Sequence, residues 1–119
     1  MPNCIAVTGV KEGGATCGSC HDGSEVDFTI PMERFSNTDR NTLSLAASGN
    51  SPSYVGGSSS ATATAAGIAA LVWSARPALT RDQVYLSLRN TSQFYPSINS
   101  SKGYGNLNAA AAVNAGLTY

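Results

Sequence analysis

From Ala61 to Trp73 the chain reads "ATATAAGIAALVW", with no charged side chain at all. A helix over this stretch has no polar face to offer water, so it is expected to be buried on every side, with Trp73 in the core. It should end near Arg76-Pro77, because proline disfavours helical backbone at the residue before it. At its mouth stand two glycines and three serines, Gly56-Gly57-Ser58-Ser59-Ser60. Any fold for this chain must wrap other elements around that helix and must account for hydroxyls crowded at its entrance.

The remaining segments supply candidates for the wrapping. "CIAVTGV", Cys4 to Val10, is apolar and β-branched and reads as a buried strand; "VDFTI", Val26 to Ile30, alternates and reads as a second strand that Pro31 should stop. Residues 32 to 58 are rich in Ser, Asn, Thr and Gly and read as loop, apart from "TLSLAA", which suits a short third strand. Thr80 with Gln83 three residues on forms a capping box that opens a helix over "TRDQVYLSLRN". Asp82 complements the dipole there, and Val84, Tyr85 and Leu88 give it an apolar side. "NLNAAAAVNAGL" reads as a last helix, following Gly103 and Gly105 and stopping near Gly116. Strands and helices mix within 119 residues with no repeat and no linker, so one α/β domain is the most the chain can hold.

Seven basic and seven acidic side chains are scattered along the sequence, which leaves no basic stripe; nucleic acid is not an expected partner. The N-terminus lacks the features of a targeting signal, and the apolar run from Ala65 to Trp73 falls well short of the roughly 20 residues that span a bilayer. No membrane partner is expected.

A serine hydroxyl becomes a nucleophile only when a base takes its proton and donors stabilise the oxyanion that forms. The first turn of a helix carries unsatisfied N–H groups and the positive end of the macrodipole, and glycines before it admit a substrate closely. Three serines placed there suit nucleophilic chemistry. They equally suit helix capping, and spacing alone does not say which one would react. A nucleophile elbow of the α/β-hydrolase kind is excluded by Ala61 where a glycine is needed and by the expected lack of a strand just before the serines. A phosphate-binding loop is excluded by the lack of Lys-(Ser/Thr) after the last glycine.

The stretch "GGSSSATATAAGIAAL" resembles the active-site serine motif of the subtilases, the subtilisin-like serine proteases, whose pattern is Gly-Thr-Ser-x-Ala-(Ser/Thr)-Pro-His-Val-Ala-Gly. In that register Gly57 is the motif glycine, Ser58 stands for the usual Thr and Ser59 is the nucleophile, while Ala63 and Thr64 depart from Pro-His. "PNCIAVTGV", "GSEVDFTIP", "PALTRDQVYLSLRNTS" and "GYGNLNAAAAV" are similar to further family segments, so the resemblance runs over nearly the whole chain; residues 32 to 56 match poorly. It implies a doubly wound, mostly parallel sheet with a buried central helix, of which residues 1–119 would be the C-terminal portion of the catalytic domain. It implies endopeptidase chemistry on a polypeptide substrate through an acyl-enzyme on Ser59, with Gly56, Gly57 and Ser58 lining the substrate's approach. It implies a secreted or periplasmic setting; no cofactor is expected, and no residue is singled out as a metal ligand.

The triad Asp and His motifs of the family and its oxyanion Asn segment are not found in the sequence; the one histidine, His21, fits none of them. The chain alone is therefore expected to be inactive, and to bind the missing N-terminal part of the domain or to self-associate. The alternative is a non-catalytic interaction or scaffold module of subtilase type, to which Ala63-Thr64 in place of Pro-His lends weight.

"CGSCH", Cys17 to His21, has the spacing that attaches c-type haem. Haem is the remote alternative, because Met32 is the only later methionine to act as second axial ligand and the surroundings read otherwise. Zinc lacks a fourth ligand, with Cys4 in a strand. A Cys17–Cys20 disulfide in an exported protein, or free thiols, is the plainer expectation.

Overall fold

The computed structural model describes residues 4–11, 14–15, 20, 23, 25–33, 42–44, 53–55 and 57–119. Two strands, β1 (Val7–Lys11) and β2 (Phe28–Glu33), lie side by side in parallel, with Val7 opposite Phe28 and Gly9 opposite Ile30. Phe28, Ile30 and Met32 alternate onto one face of β2 and are all buried, which is the period-2 pattern of a strand packed against helices. β1 starts at Val7 rather than at Cys4, which is exposed. Pro31 does not stop β2: it lies opposite Val10, exposed, beside a register irregularity, and the strand runs on to Glu33. A proline lacks only the N–H, so a strand tolerates it at an edge or bulge where no ladder bond is needed.

The far side of β2 is covered by the segment before the last helix. Tyr104 N–H donates to the Asp27 carbonyl at 2.8 Å, Thr29 N–H to that of Gly105 at 3.0 Å, and Leu107 N–H to that of Thr29 at 3.2 Å. The Thr29 hydroxyl, 1% exposed, donates to Asn106 Oδ1 at 2.6 Å, so its burial leaves no unmet polar group. Gly103 makes the approach possible: its φ is +57°, and a Cβ there would run into the backbone oxygens of Val26 and Asp27.

A separate antiparallel pair joins β3 (Thr42–Ser44) to β4 (Ser53–Val55), with Leu43 opposite Tyr54. β3 is the first half of the expected "TLSLAA" strand. β4 falls where the sequence reads as loop, and it ends two residues before the first helix, so a strand does precede the serines after all. Its pairing with β3 is tertiary, and a three-residue strand carries too little periodicity to announce itself.

Three helices complete the fold: α1 (Gly57–Ala75), α2 (Arg81–Asn90) and α3 (Ala109–Gly116). α2 has the expected capping box, with Gln83 N–H donating to Thr80 Oγ1 at 3.2 Å and Thr80 N–H to Gln83 Oε1 at 2.9 Å. Asn108 caps α3 by accepting from Ala111 N–H at 3.0 Å. Phe28, Val72, Leu79, Val84, Leu88 and Ala112 form the main core, and Ile30, Met32, Ala61 and Ala65 a second group beside it.

α1 departs from expectation. It buries one stripe, Ala61, Ala65 and Val72, while Thr62, Ala63, Ala66, Gly67, Ala70, Leu71 and Trp73 are exposed. Leu71 is 55% and Trp73 43% exposed, the latter at the rim with its indole N–H donating to the Leu79 carbonyl at 2.9 Å. β1, β2, α2 and α3 all pack against the one stripe, and no described element of this chain covers the other face.

Candidate active site

Ser58, Ser59 and Ser60 are the second to fourth residues of α1, so they lie inside its first turn rather than ahead of it. The N–H groups of that turn have no intrahelical carbonyl to bond, and the helix dipole places partial positive charge there. Ser59 is exposed, whereas Ser58 and Ser60 are half-buried. Successive residues of a helix are turned by about 100°, so holding residue 58 against the sheet presents residue 59 outward.

Contact with the sheet is specific. Ser58 Oγ lies 3.3 Å from Thr8 Oγ1 of β1, and Thr8 is 2% exposed. Further along, the Thr62 hydroxyl donates to the Ser58 carbonyl at 2.9 Å and the Thr64 hydroxyl to the Ser60 carbonyl at 3.0 Å. Such back-bonding is how threonine is accommodated inside a helix. Both bonds engage carbonyls, and the amides of the first turn keep their direction toward incoming acceptors.

Ser59, Thr62 and Ala66 follow one another on one face of α1, spaced as residues i, i+3 and i+7. Thr62 and Ala66 also line an apolar cavity of about 170 Å³, together with Ile5, Val7 and Phe28. The exposed Ser59 hydroxyl stands at the positive end of the helix, on a face that no described element covers, and the cavity flanks that face on its sheet side. A nucleophile needs access and oxyanion donors, and an exposed hydroxyl in the first turn of a helix has access and N–H groups beside it.

Gly57 opens α1, while Gly56, Cys17 and His21 lie outside the described residues. Cys20 is in a disulfide bond, and Cys4 is a free, exposed thiol. Among the described residues no cluster of three or more His, Cys, Asp or Glu is placed to hold a metal, and no helix is long and apolar enough to cross a membrane. Asp27 is structural: its Oδ2 accepts from Ala6 N–H at 2.9 Å and ties the entry of β1 to β2. Thr8 is not among the residues that the motifs single out. The signal was there, a hydroxyl in the middle of the apolar run "CIAVTGV", which must find a partner if the run is buried.

The subtilase family model matches residues 1–105. Among solved structures, a protease from Pseudoalteromonas arctica is similar at 32% identity and a TM-score of 0.77, over 94% of this chain and 35% of its own. A lanthipeptide protease shares the fold at 21% identity and a TM-score of 0.76, over 92% of this chain and 40% of its own. MycP1 from Mycobacterium smegmatis shares it at 22% identity and a TM-score of 0.70, over 94% of this chain and 30% of its own. No curated protein matches the sequence significantly. The chain spans between three tenths and two fifths of the length of these structures. With a parallel strand pair, a helix opened by serines and a family match over most of its length, the chain belongs to the subtilase family of serine proteases.

Proposed function

We propose that residues 1–119 form the C-terminal part of a subtilisin-like catalytic domain, and that Ser59 attacks the carbonyl carbon of a peptide bond. A base takes the Ser59 proton, the hydroxyl oxygen adds to the carbonyl, and the resulting oxyanion is stabilised by N–H groups that include Ser59's own. Collapse of the intermediate expels the amine and leaves an acyl-enzyme, which water hydrolyses. Gly56, Gly57 and Ser58 border the approaching substrate. The base, its orienting carboxylate and a side-chain oxyanion donor come from outside this chain. One observation carries the reading: in a subtilase chain, Ser59 is exposed in the first turn of α1, on the helix face that no described element covers.

The uncovered face also bears on the partner. A stripe of Ala63, Ala66, Ala70, Leu71 and Trp73 exposed to water favours association, and the remainder of the domain, packed there, would bring the base to Ser59. Alone, the chain should self-associate through this face. Sedimentation velocity is expected to show a weight-average mass that rises with concentration; a monomer at all concentrations would count against it.

Labelling with a fluorophosphonate tests the chemistry. The chain alone is expected to remain unlabelled, because loss of a triad member costs about 10⁴-fold or more in subtilisin, itself a subtilase. Joined to segments carrying the base and its acid, it should be labelled at Ser59. Rapid stoichiometric labelling of the chain alone would refute its inactivity, and no labelling in the assembled domain would refute the nucleophile.

A scaffold role without catalysis draws support from Thr64, whose hydroxyl is engaged with the Ser60 carbonyl where the family pattern has histidine. Haem attachment is disfavoured, because the Cys20 sulfur is committed to a disulfide.

A further inference from the structure

We infer that Thr8 is a positioning residue for Ser59, acting through Ser58; the inference rests on the reading of Ser59 as nucleophile. Thr8 and Ser58 are fifty residues apart in sequence, yet their hydroxyl oxygens lie 3.3 Å apart. This hydroxyl pair ties α1's first turn to β1. Thr8 is 2% exposed, on a strand paired along its length with β2. Its β-branched side chain has few rotamers and the strand fixes its backbone, so Thr8 is the rigid member of the pair. Ser58 is the half-buried member, one residue before the exposed Ser59.

The consequence for reactivity is geometric. Helix ends fray, and the first turn of α1 contributes the hydroxyl, the following carbonyls and the oxyanion N–H groups together. A turn that rotates or opens carries Ser59 away from any base held by other elements, and a displacement of about 1 Å suffices for a large loss of rate. Holding Ser58 against β1 sets the rotation of α1 about its axis at the position where it matters. The Ser58 hydroxyl is one partner of the buried Thr8 hydroxyl, which would cost stability if it were left unbonded.

Thr8→Val keeps the shape and removes the hydroxyl, and Thr8→Ser keeps the hydroxyl. Amide hydrogen exchange of the chain reads the anchor directly at Ala61 to Thr64, whose N–H groups close the first turn onto the carbonyls of residues 57 to 60. Thr8→Val is expected to speed exchange there by about fivefold to tenfold, the worth of one hydrogen bond. Amides of α2 should be unchanged, and Thr8→Ser should restore protection. In the assembled catalytic domain, Thr8→Val should lower kcat about tenfold with KM within about twofold, again restored by Thr8→Ser. Unchanged exchange in Thr8→Val, or a change equally large in α2, would overturn the anchor whatever Ser59 does. A kcat unaffected by Thr8→Val in an active enzyme would overturn the positioning role. An assembled domain whose activity survives Ser59→Ala would remove the nucleophile reading while leaving the exchange result to judge the anchor.

Discussion

Ser59→Ala is expected to abolish peptide hydrolysis by the assembled catalytic domain, lowering kcat on the order of a millionfold, the loss seen when subtilisin is deprived of its nucleophile. The fold should not change. Ser59 is exposed in the first turn of α1 and alanine is the best helix former, so stability should stay within about 0.5 kcal/mol. The neighbouring serines provide the controls. Ser60→Ala should leave kcat within a few-fold, since its side chain is not assigned to the chemistry. Ser58→Ala removes the hydroxyl that meets Thr8 Oγ1 and should cost about tenfold, as Thr8→Val does. Active-site titration and steady-state kinetics on the three variants separate the readings. Should Ser58→Ala or Ser60→Ala be the variant that loses a millionfold, the register of the motif is shifted and the reacting hydroxyl is another one. Should none of them lose activity, no serine of α1 is the nucleophile and the scaffold reading gains.

What was legible in the sequence follows from the range over which each signal acts. The capping box at Thr80 and Gln83 and the glycine stop near Gly116 are local chemistry, and both lie where the sequence places them. β2 is local in its alternation but not in its length: Pro31 reads as a stop because a proline's lost N–H matters only if a neighbour needs it, and the neighbour is set by β1. β4 depends on pairing with β3 and left almost no local trace. The environment of α1 is the most informative departure. "ATATAAGIAALVW" signals the helix but not its surroundings: burial on every side is expected from the lack of charge, and among the described residues only the stripe through Ala61, Ala65 and Val72 is buried. At the site, the motif singles out Ser59, and the structure places that residue exposed in the first turn of α1. Thr8 was not readable as its support, because a contact between residues 8 and 58 exists only once the strand and the helix are packed.

Phe28→Ala should remove most of the stability of the chain. Phe28 is fully buried at the start of β2, in one core cluster with Val72 of α1, Val84 and Leu88 of α2 and Ala112 of α3. Its ring lies 5.9 Å from that of Tyr85 and 6.1 Å from that of Tyr104, both in tilted arrangements that add to the burial of area. Burial pushes the Tyr85 phenol above its ordinary value, with the Asp27 carboxylate adding to the effect. Truncation to alanine is expected to cost about 3–5 kcal/mol, against the 5–15 kcal/mol or so that stabilises a typical domain. The apolar cavity that Phe28 already lines would enlarge rather than collapse, because β1 and α1 border it and each is held by backbone bonds. Phe28→Leu, which fills most of the space, should cost about a third as much. Ile98→Ala, at a residue 64% exposed, should fall within about 0.5 kcal/mol of the parent. Denaturant unfolding followed by circular dichroism ranks the three. A Phe28→Ala chain as stable as Ile98→Ala would mean that the helices do not converge on β2, and the platform on which α1 presents Ser59 would have to be redrawn.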